Sequence, residues 1–547
     1  MALETRGLAT VTTGIFSGFK QAIDTVTLIQ SALDSNKTDD YQVVIEYKIL
    51  MTRLEQWGRF CGVDDQMKSR PSASFLDKPE DIRKLIMDIL HQIEKLKETG
   101  NAKVEKHGLS LPATTESPQN GSDNNDSGDK FHFREKLSKT ATRMNWIKTE
   151  KQEFESVILK LDKLITSLEN FVPECKVPLD ALVASVLAKV SDKTQLHAFS
   201  HLNSRSSWAL ALSARAKAIG QKSEGKASRR TTQQLKFAPK APDLGILQLP
   251  GKVTSVWVEW NVINPGLRSE DYVRQIESLT YLLENVSEPA LCLPPCFGTY
   301  EDKDYERLNG SRRIGLVFGV PRADPLDNGG KNIREYDGDL ISHPPRTLAS
   351  LIRDKEFPIP ALGDRFRLAF VLATTVSYFH AATWLHKGLN SESLLFFNEV
   401  QSQKINSTSP FITGFQHSRQ QDEISQSHSP LKNEKFIQYH HPDADKGFNK
   451  RKDLYSLGVI LCEIGQWMLM EDRGKNSRQN AKLVDRTAWR DFIVGGVLED
   501  LAWRMGKEYQ SVVKTLLAGN LPEDYGDEYF AQEYLEKVIR PLSKCMA

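Results

Sequence analysis

The chain has 547 residues, 26% charged and 39% hydrophobic, with 72 Lys and Arg against 71 Asp and Glu for a formal net charge of +1. This length exceeds one ordinary core and implies two or three domains of ordinary globular composition. The balanced charge excludes the broad basic field of a nucleic-acid binder or a polybasic membrane protein.

The six cysteines, Cys61, Cys175, Cys292, Cys296, Cys462 and Cys545, are scattered. That argues against a disulfide framework and for a reducing compartment. Cys292 and Cys296 have C-x-x-x-C spacing but no second Cys or His pair at zinc spacing, so no metal is expected. No basic cluster precedes an apolar run at the start, and Gly7 to Phe19 is Thr- and Gly-rich and stops at Lys20. No stretch reaches the roughly 18–20 apolar residues of a membrane-spanning helix, so a cytoplasmic protein is expected.

Residues 1–220 read as an all-α helical bundle. Val43, Val44, Tyr47, Leu50, Met51, Leu54 and Trp57 recur at three- and four-residue spacing, one apolar stripe of a helix. Ile82 to Leu96 forms a second stripe, with Asp77 as cap and Pro79 in the first turn. Phe154 to Phe171 forms a third, and Leu179 to Val190 a fourth, starting after Pro178. Residues 110–130, rich in Ser, Asn, Asp and Gly, read as a disordered loop. Residues 221–235, with Lys222, Lys226, Arg229 and Arg230, read as a basic, solvated linker.

The pattern then changes. Val253 to Ile263 is rich in β-branched and aromatic residues, a strand signal. A helix is expected over Ser269 to Leu283 and a strand over Arg313 to Val320, with helices dominating from Leu348 onward. Strands first and helices afterwards predict a bilobal α+β domain, with a small lobe over 236–320 and a large lobe over 321–547.

This half resembles a protein kinase at four places. Gly315 to Pro321 (GLVFGVP) resembles the strand and hinge joining the lobes, placing Phe318, Gly319 and Val320 beside a nucleotide pocket. Arg365 to His380 resembles the long central helix, and Trp384 to Phe397 (WLHKGLNSESLLFF) stands at the catalytic loop. Lys452 to Gly465 (KDLYSLGVILCEIG) resembles the buried helix after the activation segment, with Asp453 as its anchor. His386 and Phe415 carry structural roles by the same resemblance, and Glu392 is expected to anchor the loop. The resemblance implies a bilobal kinase-like fold.

The catalytic pattern H-R-D-L-x-x-x-N is not kept. Gly388 stands where the Asp that accepts the substrate proton belongs, and Ser393 where an Asn would hold magnesium. Gly414 replaces the Asp of Asp-Phe-Gly. The strand lysine is best aligned to Asn261, with a shift of one or two residues allowed. No G-x-G-x-x-G run precedes that strand, and Gly245 and Gly251 read as turn residues. The catalytic set is therefore empty and no cofactor is expected, while metal-independent ATP binding stays open. His440 and His441, adjacent before Pro442, are expected to pack on the lobe rather than bind metal. Ser402 to Glu434 spans the activation segment as a polar loop.

The first half resembles the HeLo domain of fungal heterokaryon-incompatibility and cell-death proteins, the prion-inhibition and propagation family. The resemblance rests on the apolar stretch Gly14 to Leu33 and on Arg53-Leu54-Glu55-Gln56-Trp57-Gly58. It implies a bundle that self-associates and acts on membrane when its first helix is released, with Leu8, Val11, Ile15 and Phe16 as the membrane-active face. The chain departs from that family in having no short amyloid repeats at its C-terminal end and in carrying Lys20 and Asp24 in the first helix. The expected function is a signalling or cell-death effector with an inactive kinase domain (a pseudokinase) controlling the helical one. Protein partners act upstream, and plasma-membrane recruitment follows activation. The alternatives are an atypical active Ser/Thr kinase with a regulatory helical domain, and a passive scaffold.

Overall fold

Apolar residues repeating at three and four positions must face a common core, and in this chain they do so twice, in two separate units. The computed structural model describes residues 17–23, 41–62, 78–106, 151–190, 192–201, 208–220, 225–239, 241–263, 265, 269–288, 291–321, 338–400, 402, 404–415, 418–420, 434–477, 483–521 and 526–545. The chain divides into compact units at Met1–Pro178 and Leu179–Ala547. The expected membrane-active face, the 110–130 loop, the Asp77 cap and most of the 402–434 loop lie outside the described residues.

In the first unit, residues 17–23 are helical, followed by α1 (Tyr41–Phe60), α2 (Glu80–Lys106) and α3 (Lys151–Phe171). Their stripes share one core, in which Tyr47, Leu54, Trp57, Leu90, Ile93, Leu161 and Leu168 are all buried. Polar bonds fix α1 against α3. The Trp57 indole N–H donates to Leu168 O at 3.1 Å, and Arg53 pairs with Asp162 and Glu169, each at 2.6 Å. Phe19 packs beside Trp57, ring centroids 6.1 Å apart. A Cβ at Gly58 would fall on the Phe19 ring, so glycine is required at that approach.

The second unit opens with α4 (Leu179–Ala188), α5 (Lys193–Ser200) and α6 (Trp208–Gly220). The helical bundle was expected to run to residue 220, yet these three helices fold with the second unit. The reason lies in α4, in which every residue from Ala181 to Leu187 is buried. A helix apolar all round needs partners on every side.

A six-stranded sheet follows: β1 (Arg229–Arg230), β2 (Leu235–Ala238), β3 (Ala241–Leu249), β4 (Lys252–Ile263), β5 (Cys296–Glu301) and β6 (Arg312–Gly319), in the order β1-β5-β6-β4-β3-β2. All pairs are antiparallel except β1 with β5. Between β4 and β5 lies α7 (Ser269–Val286), and α8 (Lys303–Asn309) links β5 to β6. Residues 225–230 do not form the solvated linker expected. Ser228 O accepts from Thr299 N at 2.8 Å, and Ser228 N donates to Glu284 of α7 at 2.9 Å. An edge strand offers unpaired backbone groups, and this segment uses those of β5.

The helical lobe contains α9 (Leu348–Arg353), α10 (Leu362–Ala381), α11 (Lys450–Gln466), α12 (Met470–Lys475), α13 (Arg486–Phe492), α14 (Leu498–Ala518), α15 (Asp527–Tyr534) and α16 (Arg540–Lys544). The central α11 is buried at nearly every position. Packing of α4 against α10 and α15, and of α6 against α7 and α10, ties the leading helices to both lobes. The architecture is thus a helical region followed by a bilobal sheet-and-helix domain.

Candidate functional site

The lower wall of the site is built from α11. The Asn449 side chain caps its first turn, placing Asp453 in that turn as a buried carboxylate. Its oxygens accept from His386 N at 2.7 Å and Lys387 N at 2.8 Å, while His380 Nε2 lies at 3.4 Å. A buried carboxylate needs such donors, and here they set the course of residues 386–387. Lys387 accordingly holds a left-handed φ of +64°. His386 Nε2 bonds Thr413 O at 2.9 Å, and burial lowers its pKa despite nearby Asp453 and that bond. A neutral ring whose Nε2–H is spent on a carbonyl is a strut.

The three positions that would carry the acidic and metal-binding groups are committed elsewhere or lack a side chain. Gly388 O accepts from Asn390 Nδ2 at 2.8 Å. The Ser393 hydroxyl accepts from Asn390 N at 3.0 Å and donates to Asn390 O at 2.7 Å, closing a capping box. Gly414 has a φ of +77°, and a Cβ there would stand 3.0 Å from Ser393 Cβ. Glu392 anchors the loop, accepting from Thr347 Oγ1 and Arg353 Nη1, each at 2.8 Å.

The upper wall is the cleft face of β4. Alternation along a strand puts Trp257, Glu259 and Asn261 on one side. Glu259 accepts from Gly414 N at 3.0 Å and Phe415 N at 3.3 Å, and the Trp257 indole also bonds it. Burial raises its pKa from 4.5 to about 7, against the downward pull of those bonds. Asn261 is buried two residues further on, accepting from Tyr272 of α7 at 3.3 Å, and Glu259 is the β4 side chain that bonds the Gly414 turn.

Trp257 stacks on Phe318 with centroids 5.5 Å apart at 25° and meets Phe397 at 5.5 Å. All three are buried. Phe318 also meets Phe415, which lies 5.2 Å from the His386 ring. Gly319 N donates to Pro295 O at 2.9 Å, and Val320 follows half-buried. Aromatic side chains thus fill the space beside Phe318, the first residue of the expected hinge. The residues between β2 and β3, Pro239 and Lys240, include no glycine. Gly245 lies inside β3 opposite Phe237, not in a turn as expected, while Gly251 does turn, with φ +72°.

A second buried carboxylate escaped sequence reasoning. Glu463 of α11 accepts from Tyr439 Oη and from Met470 N, each at 2.8 Å, and from Ser391 Oγ. Burial raises its pKa to about 7. His440 is buried, whereas His441 packs edge-on to Tyr455 at 5.4 Å. Among the described residues no three His, Cys, Asp or Glu side chains converge as a metal site, and no helix is long and apolar enough to cross a membrane.

Residues 7–199 match the HeLo family, described as prion-inhibition and propagation. The matched stretch runs past Pro178 into the second unit. No curated protein matches the chain. A solved structure of vaccinia related kinase 3 is 13% identical, covering 59% of this chain and 94% of that one at a TM-score of 0.34.

Proposed function

We propose that the chain is a signalling or cell-death effector in which a catalytically inactive kinase-like domain controls a HeLo-like helical domain. The match over residues 7–199 supports the effector part. The observation that carries the control part is the Glu259 carboxylate on the Gly414 and Phe415 N–H groups. Phosphoryl transfer needs positive charge around the phosphoryl group, from magnesium and a lysine. This cleft holds a carboxylate in the lysine's place, no acid at Gly388 or Gly414, and a Ser393 hydroxyl already bonded. Trp257 stacks on Phe318 beside the expected hinge, where a nucleotide base would have to lie. A domain so arranged works by conformation and by protein partners upstream.

The helical domain, once released, self-associates and acts at the membrane surface through an apolar face rather than as a single span. The resting protein is cytoplasmic and moves to the plasma membrane on activation. Dye release from anionic liposomes tests this reading. Residues 1–178, with their helical content checked, are expected to cause leakage that the full chain does not. A folded 1–178 that never causes leakage sinks the effector reading.

A further inference from the structure

The basic stretch Lys226 to Gln234 reads K-A-S-R-R-T-T-Q-Q. Arg229 and Arg230 form β1 on the edge of β5, and the exposed Thr231 and Thr232 follow as the chain turns. Both threonines line a cavity of about 280 Å³ between this segment, α7 and the sheet edge. The same cavity is lined by Arg229, Arg230, Lys303 and Arg312 against two carboxylates, Glu277 and Glu301. Glu270 and Glu284 also pair with Arg312 and Arg230 from beyond the lining, so the four cations are at present matched by carboxylates, and a phosphate would be received by displacing them. A phosphothreonine carries about −1.5 to −2 at neutral pH, and guanidinium groups grip phosphate bidentately.

We propose that Thr232 is a phosphorylation site whose phosphate is received, within the same chain, by this cavity. Arginines two and three residues before the acceptor suit a separate Ser/Thr kinase with an acidic substrate groove. In that step Thr232 Oγ1 bonds the γ-phosphorus of ATP held by the other enzyme. The bond from that phosphorus to the ADP oxygen breaks, the hydroxyl proton passes to that enzyme's base, and ADP leaves.

The consequence follows from the present pairing. Arg229 is bound to Glu277 of α7, while Arg312 holds Glu301 at 3.1 Å and Glu270 at 2.8 Å. Lys303 lies 3.0 Å from Glu301. A phosphate with nearly twice a carboxylate's charge competes for these cations and draws Arg229 from α7. The modification thereby loosens the segment that joins α6 to the sheet. This regulatory role rests on the reading of the kinase-like domain as a switch.

The test uses the full chain, ATP and a Ser/Thr kinase that prefers arginine two and three residues before the acceptor. Site occupancy is read by mass spectrometry, followed by the rate of dephosphorylation and by amide exchange over 269–286. Wild type is expected to take phosphate at Thr232 and Thr232→Val to take none there. The bound phosphate should be lost about tenfold more slowly than in the Lys303→Ala, Arg312→Ala double variant, the effect of losing charge-assisted bonds. Exchange over 269–286 should rise in wild type on modification. An unmodified Thr232 in the native chain overturns the proposal, whether or not a 226–238 peptide accepts phosphate. Equal dephosphorylation rates in the two proteins also overturn it. Liposome leakage on the same samples reports separately: phosphate retained with leakage unchanged sinks the switch reading and leaves the site standing.

Discussion

The Glu259 carboxylate accepts from Gly414 N at 3.0 Å, joining a strand of the sheet lobe to a turn of the helical lobe. In the proposed reading, this places a carboxylate where a phosphate cleft would need positive charge. The stability of the second unit should depend on this bond, and its titration offers a first test.

Glu259 and Glu463 both have pKa values raised from 4.5 to about 7. The folded chain keeps protons that the unfolded chain releases across that window. The stability this contributes is fully present below about pH 4.5 and is lost as pH rises through about 7, on the order of 3 kcal/mol for each group. His386 acts oppositely: burial lowers its pKa, so its contribution is present above the ordinary value of 6.5 and lost as pH falls. Urea unfolding from about pH 5 to about pH 8 should show wild type weakening toward the alkaline end. Glu259→Gln, which cannot ionise, should flatten part of that decline.

Restoring an acid at position 414 should not restore a kinase. Gly414→Asp sets a side chain at a φ of +77°, 3.0 Å from Ser393, and brings a second carboxylate against Glu259. The expected cost is about 3 kcal/mol, read as a lower urea midpoint with unchanged slope. Adding Glu259→Lys gives the pair opposite charges, and the double variant should recover part of the loss.

Trp257→Ala removes a buried aromatic between Phe318 and Phe397. A loss of about 3–5 kcal/mol is expected from burial and the cavity left behind. Calorimetric melting measures it. The vacated space should admit small aromatic solutes, seen as stabilisation by indole, while ATP with magnesium still gives none because Glu259 remains.

In the helical unit, Gly58→Ala should displace Phe19, because the added Cβ falls on its ring. Overpacking of this kind costs about 1–3 kcal/mol. Faster amide exchange over residues 17–23, with α1 and α3 still protected, is the expected readout.

Much of the fold was legible because burial imposes a period. The stripes ending at Trp57 and Phe171 became α1 and α3, and the strand read at 253–263 became β4. The extent of the bundle was not legible, because α4 follows the same helical spacing and only its burial on all sides sends it to the second unit. The 225–230 segment read as solvated since its charge hides a backbone pairing with β5. At the site, the bare positions Gly388 and Gly414 are readable directly as residues. Glu259 was missed because a motif alignment looks for a lysine, while geometry selects whichever side chain the pleat aims at the Gly414 turn.

The most direct measurement is ATP binding to the full chain by titration calorimetry, with and without magnesium. No binding heat is expected in either condition under the proposed reading, with Trp257 packed on Phe318 at the expected hinge and Glu259 on the Gly414 turn. Saturable binding that requires magnesium would contradict it, since neither Ser393 nor Gly414 offers the metal a free ligand.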